Sequence, residues 1–161
     1  MKIRACVLTF SDKGSVGLRT DESGPEVRRM LEAAGMEVAH YEVMPDELDR
    51  IKVKLIDMAS RVDLIVTTGG TGLSPRDVAP EATLGVVEKR VPGIAEAMRA
   101  ASMKKTNRAM LSRAEAGVRG RCLIVNLPGS LKAARENLEA VIDVLPHAID
   151  KIKGSTEDCG G

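Results

Sequence analysis

Aromatic side chains are almost absent. The chain has one phenylalanine, one tyrosine and no tryptophan. Proteins that grip single-stranded nucleic acid stack bases on aromatic faces, so that class loses its main device. An excess of one charge is lacking too: 24 basic and 23 acidic residues leave a net charge of +1. No overall field then draws the chain to nucleic acid or to a membrane surface. No apolar run approaches the ~18 residues of a membrane span. The opening MKIRACVLTF has neither the apolar core nor the small-residue cleavage site of a secretory leader. Cysteines number three (Cys6, Cys122, Cys159), with no CxxC or CxxH spacing. That argues against a zinc site, and unpaired thiols fit a reducing compartment. The expectation is a cytoplasmic protein with neither nucleic acid nor membrane as partner.

What is present is the composition of a globular domain. The chain has 161 residues, 43% of them hydrophobic, enough to bury a core without staples. Residues 1–153 read as a single domain, and 154–161 as a flexible tail holding an exposed Cys159. Ile3 to Phe10 is a short apolar strand, followed by a polar loop from Ser11 to Gly24. Pro25 and Gly35 then bracket a helix, as proline at the first helical position and glycine past the end should. Met36 to Met44 alternates as a strand, and a helix begins at Pro45-Asp46. Val62 to Thr67 is a buried strand. Pro80 to Arg90 and Pro92 to about Lys104 read as helices. A basic loop and a short strand at 117–119 come next, then a strand from Arg121 to Asn126. A long helix from Leu131 to about Lys153 is bent at Pro146. Cys6 and Cys122 fall in strands, as buried free thiols. Phe10 and Tyr41 read as core. Strands alternating with helices imply an α/β fold with a mostly parallel central sheet and helices on both faces. Ligands bind such sheets beyond the carboxyl ends of the strands. Four polar loops follow strands, and they should converge there.

The third of these loops is Thr67-Thr68-Gly69-Gly70-Thr71-Gly72, continuing to Asp77. Its glycines let backbone N–H groups approach an anion, and its threonines add hydroxyl donors. It matches neither GxxxxGK[ST] nor GxGxxG, which lowers a Walker ATPase and a standard dinucleotide fold. A tight strand-to-helix turn is the plainer alternative. Ser130, in Asn126-Leu127-Pro128-Gly129-Ser130, fits a helix N-cap, which is also where a phosphate can sit. Asp46 and Asp77 each follow a strand. Alone, the first is a candidate cap and the second an exposed ion pair. Together at one edge they would face a phosphate cradle, and carboxylates beside phosphates need a cation between them. Mg²⁺ suits oxygen ligands of this kind, with Asp46 and Asp77 as its holders. The stretch from Lys104 to Arg121 is basic, mostly as a solvated face. Within it, Ser112-Arg113 offers an arginine fork to an anion.

Several of these stretches closely resemble the signature of the molybdopterin-binding MogA/MoaB family. They are Thr67 to Gly72 with Pro75-Arg76-Asp77-Val78 and Pro80-Glu81-Ala82-Thr83, Ser11-Asp12 with Asp21 and Ser23-Gly24-Pro25, Ala109 to Arg113, and Asn126 to Ser130. The match runs from the first strand to the last helix. One departure is Leu131, where family members often carry proline. The resemblance implies a three-layer α/β/α fold, a homotrimer, and molybdopterin adenylyltransferase activity. In that reaction the terminal phosphate of molybdopterin attacks the α-phosphate of ATP, giving adenylyl-molybdopterin and pyrophosphate. Asp46 and Asp77 are the implied catalytic pair. Implied substrate-binding positions are Ser11 and Asp12; Thr68, Gly69, Gly70, Thr71 and Gly72; Glu81; Ser112 and Arg113; and Asn126, Pro128, Gly129 and Ser130. The resemblance also implies a hand-off to the molybdate-insertion enzyme. A phosphate nucleophile is already ionised at neutral pH, so the carboxylates suit positioning Mg²⁺ better than taking a proton. Two alternatives stay open. One is a MoaB-type protein that only holds the pterin or scaffolds the pathway. The other is an unrelated nucleotide-dependent regulator of flavodoxin-like shape.

Overall fold

The structure, a computed structural model, describes residues 2–156. Among these residues the strands are β1 (Arg4–Phe10), β2 (Glu37–Met44), β3 (Leu64–Thr68), β4 (Lys89–Arg90), β5 (Ala116–Arg119) and β6 (Cys122–Leu127). They form one sheet in the order β2-β1-β3-β6-β5-β4. The first four in that order run parallel, while β5 lies antiparallel to both β6 and β4. The helices are α1 (Asp12–Ser15), α2 (Ser23–Ala33), α3 (Leu48–Ala59), α4 (Ala79–Val86), α5 (Pro92–Met103), α6 (Leu131–Val141) and α7 (Leu145–Ile152).

Strand periodicity splits the core in two. Ala5 and Val7, Leu64 and Val66, and Leu123 and Val125 face α2, α5, α6 and α7. Cys6 and Leu8, Ile65 and Ile124 face α3 and α4. Because successive side chains point to opposite faces, near-continuous apolar runs are what a sheet covered on both sides requires. The result is the expected three-layer α/β/α arrangement. Both described cysteines are free and buried, and burial pushes each thiol up to about 12. Cys159 lies outside the described residues, as do 157–161 of the expected tail.

The order of the sheet places the ligand crevice. From β1 the chain passes to α2 on one face. From β3 it passes to α4 on the other. Loops leaving neighbouring strands for opposite faces part from each other, and a cleft opens between them.

Four local readings are corrected. The helix expected to reach Arg90 ends at Val86, and Val87 is extended at ψ 148. Lys89–Arg90 then pairs with β5 as an edge strand. A Cβ on Gly117 would lie 2.8 Å from the Lys89 carbonyl, so the bare backbone is what admits this strand. The expected single helix from Leu131 is interrupted at Ile142–Val144 by a 3-10 turn, with Pro146 in the first turn of α7. Pro146 has no N–H for the Ile142 carbonyl, so the α-helical ladder cannot run through that point. The α2 helix begins at Ser23, ahead of Pro25, because Asp21 Oδ1 accepts the Gly24 N–H at 3.1 Å. The α3 helix starts at Leu48, so Asp46 lies before the helix and does not cap it.

Candidate active site

The four loops do converge. A cavity of about 620 Å³ opens at the carboxyl ends of the parallel strands, with Asp12, Asp46, Gly69, Gly70, Asp77 and Gly129 in its wall. Gly69 (φ +88) and Gly70 (φ +71) turn the chain sharply out of β3. A Cβ on Gly69 would stand 2.4 Å from the Phe10 carbonyl oxygen, so only glycine lets the two loops close up there. The Gly69 N–H donates to the Leu127 carbonyl at 3.1 Å. A Cβ on Gly129 would be 3.2 Å from the Gly69 Cα, so these loops meet backbone to backbone.

The carboxylates are held by different means. Asp12 and Asp46 bind each other's backbone: the Asp12 N–H donates to Asp46 Oδ2 at 3.1 Å, and the Asp46 N–H donates to Asp12 Oδ1 at 2.9 Å. Arg76 closes its fork on Asp12, from Nε to Oδ2 at 3.0 Å and from Nη2 to Oδ1 at 2.9 Å. Those hydrogen bonds, with that of the Asp46 backbone, hold the Asp12 carboxyl below its ordinary range. Asp46 moves the other way. Burial raises it first, and the negative charges of Asp12 and Asp77 raise it further. Asp77 Oδ2 accepts the Ser74 N–H at 3.0 Å, so it folds its own loop into a turn. Arg113 lies behind that turn, donating from Nε to the Gly72 carbonyl at 2.8 Å and from Nη2 to the Asp77 carbonyl at 2.9 Å. It also pairs with Glu81.

A second depression of about 330 Å³ lies alongside, bounded by α5, α6 and the turn before Arg113. Arg99, Lys105, Arg108 and Lys132 line it, against one acid, Glu136. Arg99 is partly committed, donating to the Ser112 and Ala114 carbonyls at 3.2 and 3.0 Å. Ser130 belongs to both depressions and caps α6, its Oγ accepting the Ala133 N–H at 3.2 Å.

The donor set fits Mg²⁺. Asp46 and Asp77 offer hard oxygen donors in one wall, with Asp77 near enough for its charge to raise Asp46. Among the described residues, no group of three or more His, Cys, Asp or Glu could hold a metal ion. The remaining ligands would come from substrate phosphates and water.

The family model described as "probable molybdopterin binding domain" matches residues 6–147. This chain belongs to that family. A curated molybdopterin adenylyltransferase from Helicobacter pylori is 44% identical over 153 residues, covering 92% of this chain and 87% of the relative. The crystal structure of a molybdopterin biosynthesis enzyme, MoaB, from Thermus thermophilus superposes with a TM-score of 0.89 at 52% identity, over 95% of this chain and 98% of that one. A molybdenum cofactor biosynthesis bifunctional protein from Chlorobaculum tepidum is 38% identical, over 94% of this chain and 49% of the relative.

The family's signature residues divide in space. Ser11, Asp12, Asp46, Thr68, Gly69, Gly70, Asp77, Gly129 and Ser130 line the larger cavity. Ser112 and Pro128 line the basic groove, with Ser130. Thr71, Gly72, Glu81, Arg113 and Asn126 line neither. Thr71 and Asn126 are buried. Asn126 is a hub: its amide donates to Thr67 and Thr83 at 3.0 and 2.9 Å, and its Oδ1 accepts the Glu115 N–H at 3.2 Å.

A chain of hydroxyls and one carboxylate backs the wall. Thr68 donates to Thr9 at 3.2 Å, Thr9 donates to Asp21 Oδ2 at 2.7 Å, and the Tyr41 hydroxyl donates to the same oxygen. A Cβ on Gly24 would collide with all three of Asp21, Tyr41 and Thr9. Lys13, Arg19 and Thr20 also line the cavity, from a polar loop with no local pattern.

Proposed function

We propose that this chain adenylylates molybdopterin with Mg²⁺-ATP, releasing pyrophosphate, and that residues 1–153 carry the activity. The observation that carries this reading is the pairing of Asp46 and Asp77 in one cavity beside a basic groove, with Ser130 on their common wall. The larger cavity takes the nucleotide and the groove takes the anionic pterin. The pterin phosphate lies between them, against the backbone of Gly69, Gly70 and Gly129. An oxygen of that phosphate forms the new bond to the α-phosphorus of ATP, and the bond from the α-phosphorus to the bridging oxygen breaks. No general base is required, because a phosphate monoester is largely dianionic at neutral pH. The chain's work is therefore placement and charge. Asp46 and Asp77 would hold Mg²⁺, which when bound offsets phosphate charge and draws the nucleotide to the carboxylates. Arg113 and Glu81 set the Asp77 turn from behind, and Asn126 ties the end of β6 to β3 and α4.

The test is direct. Mixing the protein with molybdopterin, ATP and Mg²⁺ should release pyrophosphate, and omitting any one should stop it. Tight pterin binding with no release would favour a binding or scaffold role, the reading that the likeness to the MoaB structure keeps in play. The resemblance supports a homotrimer, checked by the native mass in solution. Hand-off to a molybdate-insertion enzyme is supported by the bifunctional relative, about half of which this chain matches. A cytoplasmic location is consistent with free thiols at Cys6 and Cys122, and no helix among the described residues is long and apolar enough to cross a membrane.

A further inference from the structure

We propose that Arg76 is a positioning residue for Asp46, acting through Asp12; the inference rests on the adenylyl-transfer reading. Three segments that follow β1, β2 and β3 are joined at this point, by the Arg76–Asp12 fork and by the backbone hydrogen bonds between Asp12 and Asp46. Arg76 donates to both oxygens of Asp12 at 3.0 and 2.9 Å. Asp12 in turn fixes Asp46 twice, accepting its N–H at 2.9 Å and donating its own N–H to Asp46 Oδ2 at 3.1 Å. With Oδ2 so engaged, Asp46 has Oδ1 left near Gly70, where a Cβ would stand 3.3 Å from it. The orientation of a carboxylate that is to take a cation therefore depends on a neighbour that takes none.

Arg76 itself does not line the nucleotide cavity. It lies in an outer groove with Asp46, Glu47 and Arg50. Its side chain is 60% exposed. An exposed ion pair contributes little to stability, yet a bidentate guanidinium fixes the plane of the carboxylate it holds. It also places one positive charge beside the carboxylates of Asp12, Asp46 and Glu47. Both oxygens of Asp12 accept hydrogen bonds from the chain, so this cavity residue also serves as a strut between Arg76 and Asp46.

The experiment uses the full chain and four variants: Arg76→Gln, Asp12→Asn, the double variant, and Arg76→Lys. Two quantities are measured: kcat for pyrophosphate release, and calorimetric affinity for an α,β-methylene ATP analogue with and without Mg²⁺. Arg76→Gln should lower kcat about tenfold, the usual scale for losing a group that orients a metal ligand. Analogue affinity without Mg²⁺ should stay as in the parent, while the gain that Mg²⁺ brings should shrink about tenfold. The double variant should be no worse than the poorer single, because both substitutions break one linkage. Arg76→Lys should recover part of the loss, restoring charge without the fork. The thermal midpoint should fall by no more than about 4 °C. A loss of analogue affinity that persists without Mg²⁺ would make Arg76 a direct phosphate contact and overturn the proposal. So would losses that multiply in the double variant, or a large fall in midpoint that accounts for the lost rate. Should Arg76→Gln not fold, Arg76→Lys and Asp12→Asn carry the same comparison. If the parent releases no pyrophosphate yet binds the analogue, the functional reading fails on its own, and the Mg²⁺-dependent affinities still decide the role of Arg76.

Discussion

The two depressions at the sheet edge share a wall and hold opposite charge. The larger has Asp12, Asp21, Glu22, Asp46 and Asp77 around bare glycine backbone, against two bases, Lys13 and Arg19. The smaller has Arg99, Lys105, Arg108 and Lys132 around one glutamate. A cationic groove draws an anion unaided. A carboxylate-lined cavity repels a polyphosphate until a cation comes with it. On the adenylyl-transfer reading proposed above, the difference becomes an asymmetry between the substrates: the groove would take one unaided, and the cavity would take the other together with a metal ion.

The strongest way to break this comparison is Asp77→Asn. Pyrophosphate release should fall about 10²- to 10³-fold, the scale of losing one charge-stabilising group. Pterin affinity should stay near that of the parent, and chelating Mg²⁺ should reproduce the loss. Near-parental turnover in the mutant would remove the carboxylate arm altogether. Next in size is Asn126→Ala, which strikes the buried hydrogen bonds behind the strand ends. It strands Thr67, Thr83 and the Glu115 N–H, all partners of one buried amide. The expected cost is about 3 kcal/mol, a fall of roughly 6–12 °C in Tm by calorimetry. Both ligands should then bind poorly. A selective defect in one would show that the depressions are less coupled than their common wall suggests.

Lys132→Ala sharpens the basic side. Pterin affinity should drop roughly fivefold, the gap closing as salt rises, with nucleotide affinity unchanged. The smallest effect is on stability. Burial, with Asp12 and Asp77 adding to it, holds the Asp46 carboxyl above its ordinary range. The stability linked to such a group is present below the ordinary carboxylate pKa and is lost as pH rises through the raised value. At neutral pH its charge is a cost to the fold. Asp46→Asn should therefore leave denaturant stability at pH 7 unchanged or raised by at most about 1 kcal/mol, since solvent screens a half-buried carboxylate. It should do so while stopping transfer. A clear loss of stability would mean that the hydrogen bond to Asp12 outweighs the charge.

The central strands were legible because burial on both faces writes itself as unbroken apolar runs, as in Leu64–Thr68. The Lys89–Arg90 strand was not. Two exposed basic residues have no period, and what admits them is Gly117, on a strand far along the chain. The break before Pro146 was legible as a bend but not as a separate helix. At the site, Asp46 and Asp77 could be picked out by residue type and by position after strands. Their supports could not. Arg76 and Arg113 reach partners distant in sequence, and Asn126, expected at a strand end as a substrate contact, has its amide wholly buried against Thr67 and Thr83.

The scarcity of aromatics has an experimental consequence. With no tryptophan in the chain, its ultraviolet emission comes from one ring, Tyr41. That phenol is hydrogen-bonded to Asp21, in the wall of the larger cavity. The fold thus carries a built-in optical reporter beside that cavity. A nucleotide that shifts the Asp21 loop changes the emission of this single fluorophore. Occupancy of that cavity can then be followed in the native protein without a label.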